Sequence, residues 1–177
     1  MGGEISAVST PGMGSSFRVE LPLPACAAVP KVPPERPPGR AQVAGLRVLL
    51  VEDNALNRLI ASTMLRENGV TVVEAGDGEE AVSIVESGGA AFDLVLMDLQ
   101  MPGISGYEAT RRLRKRHDAV NLPIVALTAA ALDNERAQAL AVGMNDFLAK
   151  PADARQLLDA VARNARARSD LKVPAGT

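Results

Sequence analysis

Five times between Leu46 and Arg168 the sequence passes from a short apolar run to a longer amphipathic stretch. The strand candidates are 47–51, 70–74, 93–97, 123–127 and 145–149. The first, third and fourth are continuous apolar runs, which is typical of strands that are covered on both faces. Strands that alternate with helices of about 10–15 residues predict one parallel sheet with helices on both sides. The expected fold is therefore α/β, with a five-stranded parallel sheet.

The stretches between the strands carry helix signals. In the first helix, apolar residues recur at helical spacing and predict one apolar face: Leu56, Leu59, Ile60 and Met64. Two later helices begin with the spacing of a capping box: Asp77 with Glu80, and Asp153 with Gln156. The last helix is expected to bury Leu157, Leu158, Val161 and Ala165.

The segment before the sheet has a different character. Phe17, Val19 and Leu21 alternate with polar residues, which predicts a half-buried strand in a hairpin within residues 3–23. Two strands alone are barely stable in water, so this hairpin is expected to belong to a larger sheet. Seven of the twelve prolines fall between positions 22 and 38, and residues 25–45 are predicted to form an extended linker. Residues 169–177 are predicted to be a disordered tail.

Composition and charge limit the kinds of partner and the cellular compartment that are expected. The net charge of −2 gives no electrostatic reason to expect nucleic acid or an anionic membrane as a partner. The single Cys26 cannot form an internal disulfide, and neither a membrane span nor a secretory signal is visible. A cytoplasmic location is the expectation.

Polar residues stand where the predicted strands end. They are Glu52 and Asp53 after the first strand, Asp98 after the third, Thr128 after the fourth and Lys150 after the fifth. In an open parallel sheet, groups at the carboxyl ends of the strands converge on one crevice. We therefore expect three carboxylates, a hydroxyl and an ammonium to lie close together.

The adjacent carboxylates of Glu52 and Asp53, directed toward Asp98, would repel one another. Two like charges about 4 Å apart cost about 4 kcal/mol at an effective dielectric constant near 20. A proton or a cation must relieve this repulsion, and oxygen ligands with room for water suit Mg²⁺. The alternative is that one of the two acidic residues only caps the following helix.

Asp98 is the candidate nucleophile. A carboxylate can attack phosphorus to give an aspartyl phosphate if the charge on the transferring oxygens is neutralised. Mg²⁺ and the Lys150 ammonium could each neutralise one oxygen, and the Thr128 hydroxyl could donate a hydrogen bond to the third. Taken singly, Asp98 could be a helix cap, Lys150 a surface lysine and Thr128 an ordinary strand residue. Their joint placement at strand ends favours phosphoryl chemistry.

The segments 51–57, 96–103, 127–130 and 147–151 resemble the motifs of a response-regulator receiver domain, the CheY-like fold, over residues 46–168. The resemblance implies that Asp98 receives phosphate from a phosphohistidine. It implies that Mg²⁺ is held by the side chains of Glu52, Asp53 and Asp98 and by the backbone carbonyl of Gln100. It also implies that Thr128 and Lys150 contact the phosphoryl group, and that the Lys150–Pro151 bond is cis.

The resemblance further implies that signalling moves Thr128 toward the phosphate while an aromatic residue, here Phe147, turns inward. This repacks the face formed by the fourth helix, fifth strand and fifth helix, which is also a possible dimer interface. Receiver domains have at most slow autophosphatase activity, so the resemblance leaves open whether the chain counts as an enzyme.

Residues 1–24 resemble the last two strands of a histidine-kinase ATP-binding domain, with Gly12 and Gly14 matching its final glycine box. The arrangement of the chain resembles the C-terminal part of a hybrid sensor histidine kinase, with a kinase remnant followed by a proline-rich linker and a receiver. The implied partners are a histidine kinase, in cis or in trans, and a histidine-phosphotransfer protein.

Three other functions fit these residues less well. A phosphatase of the haloacid-dehalogenase type would carry a second Asp two positions after the nucleophile, where this chain has Gln100. A flavodoxin-like flavin binder would need a phosphate loop after the first strand, where Glu52 and Asp53 would repel a phosphate. A DNA-binding regulator is disfavoured because only residues 169–177 follow the last helix.

Overall fold

A computed structural model describes residues 3–12, 14–20, 22, 42–88, 91–129 and 133–171 of the chain. The chain divides into two compact units, Met1–Glu35 and Arg36–Thr177. Among the described residues, none of the helices is both long enough and apolar enough to cross a membrane.

The first unit contains the predicted hairpin. Strand β1 (Glu4–Thr10) pairs antiparallel with strand β2 (Gly14–Glu20). The cross-strand pairs Ile5–Val19 and Ala7–Phe17 place apolar side chains on one face of the hairpin. All residues of both strands are exposed, including Phe17 at 71%. A two-stranded ribbon with an uncovered apolar face fits the prediction that this hairpin belongs to a larger sheet.

The second unit is the predicted α/β fold. Its elements are β3 (Arg47–Val51), α1 (Ala55–Glu67), β4 (Thr71–Ala75), α2 (Gly78–Glu86), β5 (Leu94–Asp98), α3 (Gly106–Arg114), β6 (Ile124–Thr128), α4 (Asp133–Ala141), β7 (Asp146–Ala149) and α5 (Ala154–Leu171). All strand pairs are parallel, in the order β4-β3-β5-β6-β7. The chain leaves β3 toward one edge and returns to β5 on its other side. This switch of direction creates a crevice at the carboxyl ends of β3 and β5.

Alternate residues of the central strands point into two separate apolar cores. Leu49, Val95 and Met97 pack with side chains from α2, α3 and α4. Leu50 and Leu96 pack with side chains from α1 and α5. The predicted five-stranded sheet with helices on both faces is confirmed.

Four of the five strands of the sheet start one residue later than predicted, and Asp98 and Thr128 are the last residues of β5 and β6. The side chains that precede the strands act as local acceptors for backbone amides. Asp93 accepts from the Arg47 amide at 2.9 Å, and Asn145 accepts from the Ile124 amide at 2.9 Å. Pro123 has no amide hydrogen to donate to the sheet. These residues therefore lead into the strands without belonging to them.

The apolar face predicted for α1 exists but is turned mostly toward solvent. Leu56, Leu59 and Ile60 are 64%, 59% and 45% exposed. The residues that α1 buries are Ser62 and Leu65, with Met64 half-buried. Ala61 and Ser62 are small, so this side of the helix can approach α5 closely, and the larger Leu56 and Leu59 face outward.

Both predicted capping boxes form. Asp77 accepts from the Glu80 amide at 2.8 Å, and the Glu80 carboxylate accepts from the Gly76 amide at 2.7 Å. Asp153 accepts from the Gln156 amide at 2.8 Å, and Gln156 accepts from the Asp153 amide at 3.1 Å. The four apolar residues expected to face the core from α5 are all buried: Leu157, Leu158, Val161 and Ala165.

The ends of the fold differ slightly from the predicted boundaries. Val43 is fully buried in the core that faces α1 and α5, so the folded unit begins before Leu46. Helix α5 continues to Leu171, three residues into the predicted tail. Residues 25–41 of the predicted linker (25–45) and residues 172–177 of the predicted tail (169–177) lie outside the described residues.

Candidate functional site

The four strand ends meet as the topology requires. Glu52 follows β3, Asp98 ends β5, Thr128 ends β6 and Lys150 follows β7. Glu52, Asp98 and Thr128 are only 3%, 5% and 3% exposed, whereas Asp53 is exposed. Polar groups are seldom buried so deeply without partners, because the loss of water must be compensated.

Lys150 supplies the positive charge of the site. Its Nζ lies 2.6 Å from Asp98 Oδ2 and also bonds to Glu52 Oε2. Burial lowers the pKa of Lys150, but its hydrogen bonds to Asp98 and Glu52 outweigh this effect and raise the pKa above its ordinary value. Lys150 is therefore protonated at neutral pH and links the carboxylates that follow β3 and end β5. The Lys150–Pro151 peptide bond is cis, as expected.

Further hydrogen bonds fix the two buried carboxylates. The Gln100 amide donates to Asp98 Oδ1 at 3.0 Å, and the Asn57 side chain donates to Glu52 Oε1 at 3.1 Å. Burial raises the pKa of Asp98, although the bonds from Lys150 and Gln100 counteract part of the effect. The Asp98 carboxylate is thus held in one orientation and is poorly solvated.

Three carboxylates form an acidic cluster that could hold a cation. Oxygen atoms of Glu52, Asp53 and Asp98 all lie within 4.8 Å of one another. An all-oxygen donor set that is exposed on the Asp53 side, where water can complete the coordination, suits Mg²⁺. The residues present therefore fit the predicted metal. The backbone amide of Gln100 contacts the cluster through its hydrogen bond to Asp98. That the backbone carbonyl of Gln100 is a metal ligand stays a prediction.

Gly106 allows α3 to begin directly beside the buried carboxylate. A Cβ atom at this position would lie 2.1 Å from the backbone oxygen of Asp98. Any side chain here would push α3 away from the end of β5. Sequence reasoning did not identify Gly106, because a lone glycine at a helix start has no distinctive signal.

Helix α4 contacts both predicted switch residues. The Thr128 hydroxyl donates to Glu135 Oε2, and the Arg136 guanidinium carbon lies 4.8 Å from the centroid of the Phe147 ring. Burial, and to a smaller extent the charge of Glu135, raises the pKa of Tyr107. Glu135 and Arg136 also escaped the sequence analysis, since two charged residues on a short helix are indistinguishable from a solvated surface.

The chain matches the response regulator receiver domain over residues 48–162. The chain is 47% identical over 118 residues to the sensor protein GacS of Pseudomonas syringae, covering 65% of this chain and 13% of that protein. It is 36% identical over 151 residues to the sensor protein EvgS of Escherichia coli K12, covering 85% of this chain and 12% of that protein. The chain thus spans about an eighth of the length of these curated relatives.

Two similar solved structures bear on the site. The receiver domain of the sensor histidine kinase PA1611 from Pseudomonas aeruginosa has a magnesium ion coordinated in its active-site cleft. It is 41% identical, with a TM-score of 0.63 over 70% of this chain and 99% of that one. The receiver domain of Ssk1, in complex with the phosphotransfer protein Ypd1 of Saccharomyces cerevisiae, is 33% identical, with a TM-score of 0.64 over 72% of this chain and 94% of that one.

Proposed function

The chain belongs to the response regulator receiver family, and on this premise we propose that Asp98 is the residue that accepts the phosphoryl group. The observation that carries the proposal is the surroundings of Asp98. Its carboxylate is 5% exposed, lies 2.6 Å from the Lys150 ammonium and shares the acidic cluster with Glu52 and Asp53. A buried nucleophile beside a fixed positive charge and a cation site is suited to phosphoryl transfer.

The transfer is a displacement at phosphorus. A carboxylate oxygen of Asp98 forms a bond to phosphorus while the P–N bond of a phosphohistidine breaks, and the imidazole nitrogen leaves with the bonding electron pair. Lys150 neutralises one phosphoryl oxygen and the Thr128 hydroxyl donates to another. The Gln100 amide keeps the carboxylate aligned through Oδ1. The product is an aspartyl phosphate and a free histidine.

Mg²⁺ would be held by the side chains of Glu52, Asp53 and Asp98 and by the Gln100 carbonyl. When bound, it supplies positive charge to the phosphoryl oxygens. The metal in the cleft of the PA1611 receiver supports this assignment. Lys150 already bridges Glu52 and Asp98, so the two carboxylates lie close together before any metal arrives.

Receiver domains of this kind act in phosphorelays, and we propose two partners for this one: a histidine kinase, in cis or in trans, and a histidine-phosphotransfer protein. The Ssk1–Ypd1 complex supports the second partner. We place the domain in the cytoplasm and a possible dimer contact on the face of α4, β7 and α5.

We also propose that the hairpin of β1 and β2 is the end of a kinase ATP-binding domain. Similarity to EvgS extends over 151 residues, farther than the receiver match at 48–162, which supports a common arrangement with the longer sensor proteins. The uncovered apolar face of Ile5, Phe17 and Val19 is what such a fragment would present.

The phosphoacceptor is tested with purified protein, Mg²⁺ and acetyl phosphate. We expect one phosphoryl group per chain, seen as a shifted band on a phosphate-affinity gel. The shifted band should be absent when EDTA is present during the reaction. Asp98→Asn should abolish the band. Asp77→Asn is the matched control, since Asn caps helices as well as Asp does.

A band that persists in Asp98→Asn would show that another residue is the acceptor. Steady turnover of a small phosphate ester would instead support the haloacid-dehalogenase alternative. That alternative is not favoured, because the family match and the similar structures are all receivers.

A further inference from the structure

Two neighbouring residues on α4 touch two different residues of the sheet. Glu135 accepts the Thr128 hydroxyl, and Arg136 covers the ring of Phe147. Thr128 ends β6, and Phe147 lies within β7, the strand next to it. One turn of one helix therefore contacts Thr128 and Phe147, the two side chains that the resemblance to receiver domains predicts to move on signalling.

The contact with Glu135 competes with phosphoryl binding. A threonine hydroxyl has a single proton and can donate it to only one acceptor at a time. While Thr128 donates to Glu135 it cannot donate to a phosphoryl oxygen on Asp98. Recruitment of Thr128 to the phosphoryl group must therefore break a hydrogen bond to a carboxylate, which is stronger than a bond between neutral groups.

The contact with Arg136 opposes the predicted inward turn of the Phe147 ring. The guanidinium lies 4.8 Å from the ring centroid, within the range of a favourable cation–π interaction. Phe147 is half-buried and packs against the core formed with α2, α3 and α4. An inward turn of the ring would leave Arg136, which is exposed, without this contact.

We propose that Glu135 and Arg136 form a latch that holds Thr128 and Phe147 in the unphosphorylated arrangement and so sets how readily the domain switches. The inference rests on the proposed role of Asp98 as phosphoacceptor. Because the two latch residues are adjacent on α4, release of either contact loosens the same turn of helix. The latch therefore couples the Thr128 hydroxyl to the Phe147 ring through α4. Its strength depends on the residues at positions 135 and 136 of this helix.

The test uses beryllofluoride, a stable analogue of the phosphoryl group, with Mg²⁺ and the full chain. Glu135→Ala should bind the analogue about tenfold more tightly than the unchanged protein, because hydrogen bonds to charged groups are typically worth at least this factor. Gln138→Ala is the matched control. Gln138 is exposed on the same helix, and its replacement should leave the affinity unchanged.

A second background separates the latch from simple charge repulsion. Loss of the Glu135 carboxylate also removes a negative charge near an anion site, which would favour binding without any latch. In Thr128→Val the hydroxyl is absent, so the latch predicts that Glu135→Ala no longer changes the affinity. A tenfold gain that persists in the Thr128→Val background would overturn the proposal.

The Arg136 contact is expected to have a smaller effect. Arg136→Ala should tighten binding about two- to fivefold, as expected for the loss of an exposed cation–π pair. The affinity of Arg136→Lys should lie between that of the unchanged protein and that of Arg136→Ala. In amide NMR spectra of the free protein, the Thr128 and Phe147 resonances of Glu135→Ala should move part of the way toward their positions in the beryllofluoride complex. A merely structural substitution would not shift both signals along that line.

The outcomes distinguish the two proposals. If the unchanged protein binds no beryllofluoride, the phosphoacceptor assignment fails and the latch fails with it. If the unchanged protein binds it and Glu135→Ala binds with the same affinity, only the latch is wrong.

Discussion

Two half-buried cations lie at opposite ends of the sheet, and their partners differ. Arg114, before the amino ends of β6 and β7, donates to the carbonyls of Gly143 at 2.8 Å and Leu122 at 2.9 Å and to the Asn145 side chain at 3.1 Å. Lys150, at the carboxyl ends, bonds to the carboxylates of Asp98 and Glu52. Burial lowers the pKa of Arg114, whereas the two carboxylates raise that of Lys150. Arg114 donates these hydrogen bonds to neutral acceptors, whereas Lys150 donates its hydrogen bonds to carboxylates.

This difference separates structure from function. Neutral carbonyls cannot be exchanged for another ligand without unfolding the loops that carry them, so Arg114 serves as a fixed staple. The carboxylates around Lys150 can accept a second cation, and Lys150 can turn to an incoming anion. We therefore expect Mg²⁺ to change the effect of replacing Lys150 and to leave the effect of replacing Arg114 unchanged.

The largest effect is expected from Arg114→Ala. Three partly buried carbonyls lose their donor, which should lower the free energy of unfolding by about 2–4 kcal/mol. Urea denaturation followed by circular dichroism measures the change. The loss should be the same with and without Mg²⁺.

Arg111→Ala is the matched control on the same helix. Arg111 makes only an exposed ion pair with Glu108 among the described contacts, so its replacement should change the stability by less than about 0.5 kcal/mol. If the two variants are equally stable, the staple interpretation of Arg114 is wrong.

Lys150→Ala should have a smaller and metal-dependent effect. Without the ammonium, Glu52 and Asp98 repel each other while nearly buried, which should cost about 1–2 kcal/mol, less than for a fully buried pair because the Lys150 side chain is 22% exposed. Saturating Mg²⁺ should restore most of the stability, because an ion that binds only the folded state stabilises it. Urea denaturation across a Mg²⁺ titration measures this.

Lys115→Ala provides the comparison for Lys150, since Lys115 is exposed at the end of α3. It should show neither the loss nor the rescue. A deficit in Lys150→Ala that Mg²⁺ leaves unchanged would mean that the carboxylates do not form the metal site.

The two ends of the sheet also differ in how far the sequence predicts them. Glu52, Asp98, Thr128 and Lys150 could be placed together because all strands of a parallel sheet bring their carboxyl ends to one edge. The partners of Arg114 could not, since they lie in loops whose path depends on packing between distant segments. The bond from Thr128 to Glu135 likewise depends on the rotation of α4, which the sequence does not specify.

Helix α1 shows the same limit within one element. The spacing of Leu56, Leu59 and Ile60 correctly indicates a helix with an apolar face, but not which side faces the sheet. That choice depends on the fit between α1 and α5, where small residues permit a close approach. Local patterns therefore predicted the elements and the strand-end site, and failed where two elements must be fitted together.

The smallest expected effect distinguishes two aspartates. Burial raises the pKa of Asp98 above its ordinary value of 3.8, so this carboxyl favours the folded state only when protonated. Its contribution to stability is present below pH 3.8 and is lost as the pH rises through the raised pKa. Asp98→Asn should therefore stabilise the metal-free protein at pH 7 and raise its melting temperature. The gain should shrink toward pH 3.8.

Asp118, at the other end of the sheet, has the opposite sign. Bonds from the backbone amide and then the side chain of Asn121, with a further contribution from Arg114, lower its pKa below 3.8. This carboxylate favours the folded state above pH 3.8, and its contribution is lost as the pH falls through the lowered pKa. Asp118→Asn should destabilise the protein at pH 7. Thermal melts of both variants from pH 3 to pH 8 should diverge in opposite directions as the pH rises. If both shift the melting temperature in the same direction, the contrast between a charge held for function and a charge held for structure fails.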